Sequence, residues 1–151
     1  MNQTKKSYPA KLSVVDVGRW TLSPRAGLET MLQTGCIDIE AARMLLRLTE
    51  LFRELGRLRA AYRLETKRIV NLLHAVEYGA AVSEDDINFA LRWLDQAAHM
   101  LRVCTRDEYR VALVRMVKTA ELRVLLQASA GMRIAGEGGS DDPMQCVPAA
   151  S

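Results

Sequence analysis

The 151-residue sequence is poor in the side chains on which most chemistry depends. It has two histidines, His74 and His99, and three cysteines, Cys36, Cys104 and Cys146, which are far apart and lack the C-x-x-C spacing of a zinc or redox site. The cysteines read as reduced thiols. A serine or cysteine nucleophile needs a base within hydrogen-bond reach, and two histidines inside helical stretches point to no such pair. His74 with Glu77 and Asp95 with His99 are the nearest approach to a metal set, but a bundle-type site needs further carboxylates. The run from Gly136 to Gly139 reads Gly-Glu-Gly-Gly, yet it follows no strand, opens no helix and lacks the Lys-Ser/Thr ending of a phosphate loop. No catalytic residue, cofactor or metal ligand is assigned.

Other absences narrow the class. Aromatic residues make up 5% of the chain, which argues against a β-rich fold built on aromatic and β-branched side chains. No run approaches the ~18 to 20 apolar residues of a membrane span, and the first residues lack the apolar core of a secretory signal. A cytoplasmic setting without a membrane partner is expected, with a nuclear or organellar one still open. The formal charge of +3 is too small to announce a nucleic-acid binder. It is unevenly spread, however: 13 basic against 7 acidic residues up to position 68, and 8 against 11 beyond it.

What the chain does have is Leu, Ala, Met, Arg and Glu, the residues that lose least on entering a helix. The expected fold is all-α, a bundle of about four helices in a single domain over 23–131. An extended arm over 1–22, punctuated by Pro9 and Gly18, precedes it, and a flexible tail over 132–151 follows. The first helix is marked by Ser23 as N-cap, Pro24 at its first position and Gly35 past its end.

The second helix is expected to dominate. Asp38 caps it and Gly79 ends it; between them Ala41, Leu45, Leu48, Phe52, Leu55, Arg59, Tyr62, Thr66, Ile69, Leu73 and Val76 follow alternating steps of four and three, like a coiled-coil seam. At ~1.5 Å per residue this rod would be about 60 Å long. Gly56 or the stretch from Arg63 to Arg68 is where it could break, but the seam keeps its phase across Gly56. A second line, Met44, Leu51, Leu58 and Leu72, widens the apolar face and is the expected partner interface. Arg59, Arg63 and Lys67, with Arg68 adjacent, form a basic stripe that could contact phosphates or an acidic surface.

The third helix has the clearest start. Ser83 is its N-cap with Asp86 three residues on, and Val82 can staple onto Ile87. Thr105 opens the fourth with Glu108 in the same relation, Tyr109, Leu113, Met116, Ala120 and Val124 give its inward edge, and Gly131 ends it.

The run Val82-Ser83-Glu84-Asp85-Asp86-Ile87-Asn88-Phe89-Ala90-Leu91 resembles the second loop and third helix of histone-fold proteins, especially transcription-factor subunits of that fold. The resemblance implies obligate pairing with a second histone-fold chain and DNA contact through helix ends and loops. Two features depart from it: the long helix exceeds the family's middle helix by two turns or more, and Tyr78-Gly79-Ala80-Ala81 stands where basic residues usually precede the loop.

The sequence thus reads as a non-catalytic helical interaction or assembly subunit, oligomeric or bound to a protein partner. The alternative is a nucleic-acid-associated protein using the basic stripe.

Overall fold

The computed structural model describes residues 10–130 and 147–148. Its order is α1 (Val14–Thr34), β1 (Cys36–Ile37), α2 (Ile39–Leu58), a 3-10 turn (Ala60–Tyr62), α3 (Lys67–Glu77), α4 (Glu84–Val103), α5 (Arg106–Ala130) and β2 (Val147–Pro148). The all-α expectation holds in outline, with five α-helices where four were expected.

The first helix starts ten residues earlier than its Ser23-Pro24 signal suggests. Ser13 is the true N-cap: its hydroxyl accepts from the Asp16 N–H, and the Asp16 carboxylate returns a bond to the Ser13 N–H. The extended arm therefore does not reach position 22, and Pro24 lies inside α1. An interior proline costs about 3 kcal/mol by removing an N–H and crowding the preceding turn. Burial of Val17, Pro24, Leu28 and Met31 against the body offsets that cost. Gly35, left-handed at φ 80°, closes the helix by donating to the Met31 carbonyl.

The very long second helix is not formed. Asp38 caps α2 as expected, its carboxylate accepting from the Glu40 and Ala41 N–H groups. The helix passes through Gly56 and ends at Leu58, where Arg59 turns extended at φ −153°. Tertiary bonds replace the missing helical ones. Tyr62 turns inward, and the Trp93 indole donates to the Glu65 carbonyl at 2.7 Å. Gly56 is buried because the Arg63 backbone folds back over it: a Cβ there would meet the Arg63 Cα at 3.4 Å.

The two halves of the expected seam face one core. Leu45, Leu48, Phe52 and Leu55 on α2, and Ile69, Leu73 and Val76 on α3, are all buried. Phase is preserved across the break because both helices must show an apolar face to the same interior. Trp93 on α4 lies at its centre, edge-on to Phe52 with ring centroids 5.9 Å apart. The helix α1 packs on α2 and α4, and α5 packs on α2.

The α4 start matches its signal in part: the Ser83 hydroxyl accepts from the Asp86 N–H, while the Asp86 carboxylate turns to Arg68 instead of back to the cap. At α5 the reciprocal box is complete, Thr105 N–H to Glu108 at 3.0 Å and Glu108 N–H to Thr105 at 3.1 Å. The Arg106 N–H donates to the Ala10 carbonyl, which fastens the chain's first described residues to this joint.

Within the expected tail, Val147 and Pro148 pair antiparallel with Ile37 and Cys36; the remainder, and the Gly131 stop, lie outside the described residues. Cys36 is disulfide-bonded, which corrects the reading of three reduced thiols, while Cys104 is free and buried.

Candidate functional site

The residues expected to meet a partner are largely spent on the chain's own core. Leu51 and Leu72 are buried, Leu58 is half-buried against the core, and Met44 is half-buried. The break in the rod turned Leu51, Leu58 and Leu72 towards the core, so the line offers no continuous outer face.

The basic stripe is dismantled by the same break, since a stripe at i+4 spacing exists only on an unbroken helix. Arg59 pairs with Glu108 at 3.3 Å and lies over the Tyr62 ring. Arg68 pairs with Asp86 at 3.0 Å and covers the Phe89 ring at 4.2 Å. Arg63, in the connection, and Lys67, at the start of α3, are exposed.

His74 and His99 are both exposed, and Asp95 is engaged by Arg25. Among the described residues no three metal-ligating side chains come together.

The perturbed ionisable groups lie at helix joints. Burial would raise the Glu108 carboxyl, but hydrogen bonds from the Thr105 N–H and the Tyr62 hydroxyl, with Arg59 nearby, outweigh it and hold the group below its ordinary value. Burial, then the bond to Glu108, push the Tyr62 phenol up to about 12. Burial likewise pushes the Cys104 thiol up to about 11. At the start of α1, hydrogen bonds from Ser13 hold Asp16 below the usual carboxylate range. These groups cap helices and join elements. Among the described residues no buried side-chain nitrogen or oxygen lacks a partner.

What remains exposed is apolar: Val14, Val15 and Leu22 on α1, and a longer stretch on α5. The first half of this helix is anchored: Ala112 is fully buried, Leu113 and Met116 pack against the core, and the Tyr109 hydroxyl accepts from the Trp20 indole at 2.8 Å. From Val117 to Ala128 every residue is exposed. This stretch includes Leu122 at 57%, Leu125 at 65% and Leu126 at 61% exposure. Arg123 ties it to the body through an ion pair with Glu50 at 3.4 Å. An open groove of about 750 Å³ runs between the overhang and the body, lined by Trp20, Met116, Val117, Ala120, Val124 and Leu125 among others.

Sequence reasoning passed over this surface. It took Tyr109, Leu113, Met116, Ala120 and Val124 as one inward edge. The signal was nonetheless present, because Val111, Val114, Val117, Leu122, Leu125 and Leu126 lie off that edge and leave α5 without a wholly polar side. Comparison with protein-family models, with curated proteins and with solved structures gave no match.

Proposed function

We propose that this chain is a non-catalytic helical assembly subunit that docks another protein chain on the overhanging half of α5. The observation that carries the reading is that every residue from Val117 to Ala128 is exposed, with Val117, Leu122, Val124, Leu125 and Leu126 spread around the helix. A helix with apolar residues on all sides belongs in an interior, and about three exposed turns of this kind are marginal in water. A partner resolves both problems by covering that surface. The shifted ionisable groups support the non-catalytic part, since each is engaged in a cap or a joint.

Nucleic-acid association through Arg59, Arg63, Lys67 and Arg68 draws less support, because Arg59 and Arg68 are already neutralised by Glu108 and Asp86. The histone-type pairing implied by Val82 to Leu91 would use a long middle helix, where this chain has α2 and α3.

The test is a photo-crosslinking residue at position 122, compared with one at the exposed Tyr78, in full-length protein within its native cells. The expected result is a discrete protein adduct at 122 and none at 78. Absence of an adduct at 122 overturns the reading. Adducts at both positions without distinction do the same.

A further inference from the structure

We infer that the chain on this surface is a second copy of the same protein, joined through an antiparallel pairing of the two α5 helices; this rests on the docking role proposed above. Along α5, Val111, Val114, Lys118, Glu121, Leu125 and Ala128 recur at alternating steps of three and four, with Glu121 and Leu125 at the rim of the groove described above. That spacing makes one seam along a helix. All six are exposed, Val111 at 42%, Val114 at 47% and Leu125 at 65%.

The order of chemistry along the seam is symmetric in type: two apolar residues, a cation, an anion, two apolar residues. With a twofold axis midway between Thr119 and Ala120, Lys118 meets Glu121 of the second copy, and Glu121 meets its Lys118. The same register places Val114 against Leu125 and Val111 against Ala128 on both sides, so every remaining contact along the seam is apolar on apolar. Among the described residues neither Lys118 nor Glu121 makes an ion pair within its own chain, so both are available for the exchange.

Charge also rejects the alternatives. A parallel pair in register sets Lys118 against Lys118 and Glu121 against Glu121. An antiparallel slip of one heptad sets the ammonium against Val114 or Ala128 and the carboxylate against Val111 or Leu125. A polar pair at the middle of an apolar seam fixes register and orientation in this way, at some cost in strength. Helices that run antiparallel also bring their opposite dipole ends together.

The experiment is sedimentation velocity of the full-length chain and three variants, Lys118→Glu, Glu121→Lys and the double exchange. Each single change places like charges against each other at both symmetry-related contacts, and association should weaken about tenfold or more. The double exchange restores opposite charges and should dimerise like the parent. The decisive sample is an equal mixture of the two single variants: each is weak alone, but together they form a heterodimer with both ion pairs correctly matched. Both residues are exposed and off the core, so the single variants should keep a cooperative melt; any loss of helicity or melting temperature should follow the loss of association and return in the double exchange and in the mixture.

A monomeric parent, single variants that still dimerise, or a mixture that stays monomeric would each overturn the inference. A monomeric parent with a 122-linked adduct to a different chain sinks the second copy alone. No adduct at 122 sinks the docking role beneath it.

Discussion

The Tyr62 hydroxyl donates to the Glu108 carboxylate at 2.6 Å, and this one bond closes the connection between α2 and α3 onto the first turn of α5. Arg59 reaches the other carboxylate oxygen at 3.3 Å, so the residue that ends α2 and the residue that caps α5 share one charged group. The bond joins sequence positions 46 residues apart. It is a main reason why the expected rod folds back.

Tyr62→Phe should therefore lower stability by roughly 1.5 to 3 kcal/mol at neutral pH, the range for a hydrogen bond to a charged group. The Tyr62 value is raised, so its contribution is whole below pH 10 and is lost as pH climbs towards about 12. Glu108 is lowered, so its contribution is whole above pH 4.5 and fades as pH falls through its depressed value. Denaturant melts of the parent and the variant across this range should show a gap that narrows at both extremes. A gap of constant size would refute the assignment.

Helix α1 presses close on α2 at Gly27, where an added Cβ would overlap the Ala41 methyl and crowd Ile37. Gly27→Ala should cost about 1 to 3 kcal/mol by overpacking, in spite of the better helix propensity of alanine. Gly18→Ala should do the opposite, adding up to about 1 kcal/mol, because its Cβ meets only the tip of the exposed Leu22 side chain. Ala41→Gly in the Gly27→Ala background should recover most of the loss. Thermal melts of the four proteins decide it; equal effects at positions 18 and 27 would remove the close-packing argument.

Much of this architecture was legible in single residues. Asp38, Ser83 and the Thr105-Glu108 pair cap helices where their chemistry says they should, and Gly35 and Gly79 take the left-handed conformation at helix ends. The local signals that failed did so against competitors of similar kind. Ser13-Asp16 outranked Ser23-Pro24 as a helix start because it forms a reciprocal box, and burial made an interior proline tolerable. The continuous seam misled for a different reason: periodicity reports which side faces the core, and two helices around one core carry the same period as one rod. What broke the rod was a set of long-range bonds, Tyr62 to Glu108 and Trp93 to Glu65, that no local window contains. The apolar overhang was masked because Tyr109, Leu113, Met116, Ala120 and Val124 by themselves complete an inward edge, and periodicity does not say that the body ends before that edge does.

The cysteines make a chemical prediction. Cys36 is disulfide-bonded, and Cys104 is buried with its thiol pushed up to about 11, so neither presents a reactive thiolate in the oxidised native protein at neutral pH. Alkylation should be slow at both positions, become fast at Cys36 after mild reduction, and reach Cys104 only on unfolding. Peptide mass mapping after a timed iodoacetamide pulse reads each site separately. Rapid labelling of Cys36 without a reductant would contradict the bonded state.

Trp93 tests how the break between α2 and α3 is held. The residue is 2% exposed, its ring lies edge-on to Phe52, and its indole N–H donates to the Glu65 carbonyl. Trp93→Phe keeps an aromatic ring in the core but leaves a small void and an unpaired carbonyl, each of which costs on the order of 1 to 3 kcal/mol. The carbonyl belongs to the connection, so the damage should begin there. Amide exchange should rise first around 63 to 68, while α1 and the anchored half of α5 keep their protection until global unfolding. Uniform loss of protection across all the helices would mean that Trp93 acts only through core volume, and that the connection is fixed by Tyr62 and Gly56 without it.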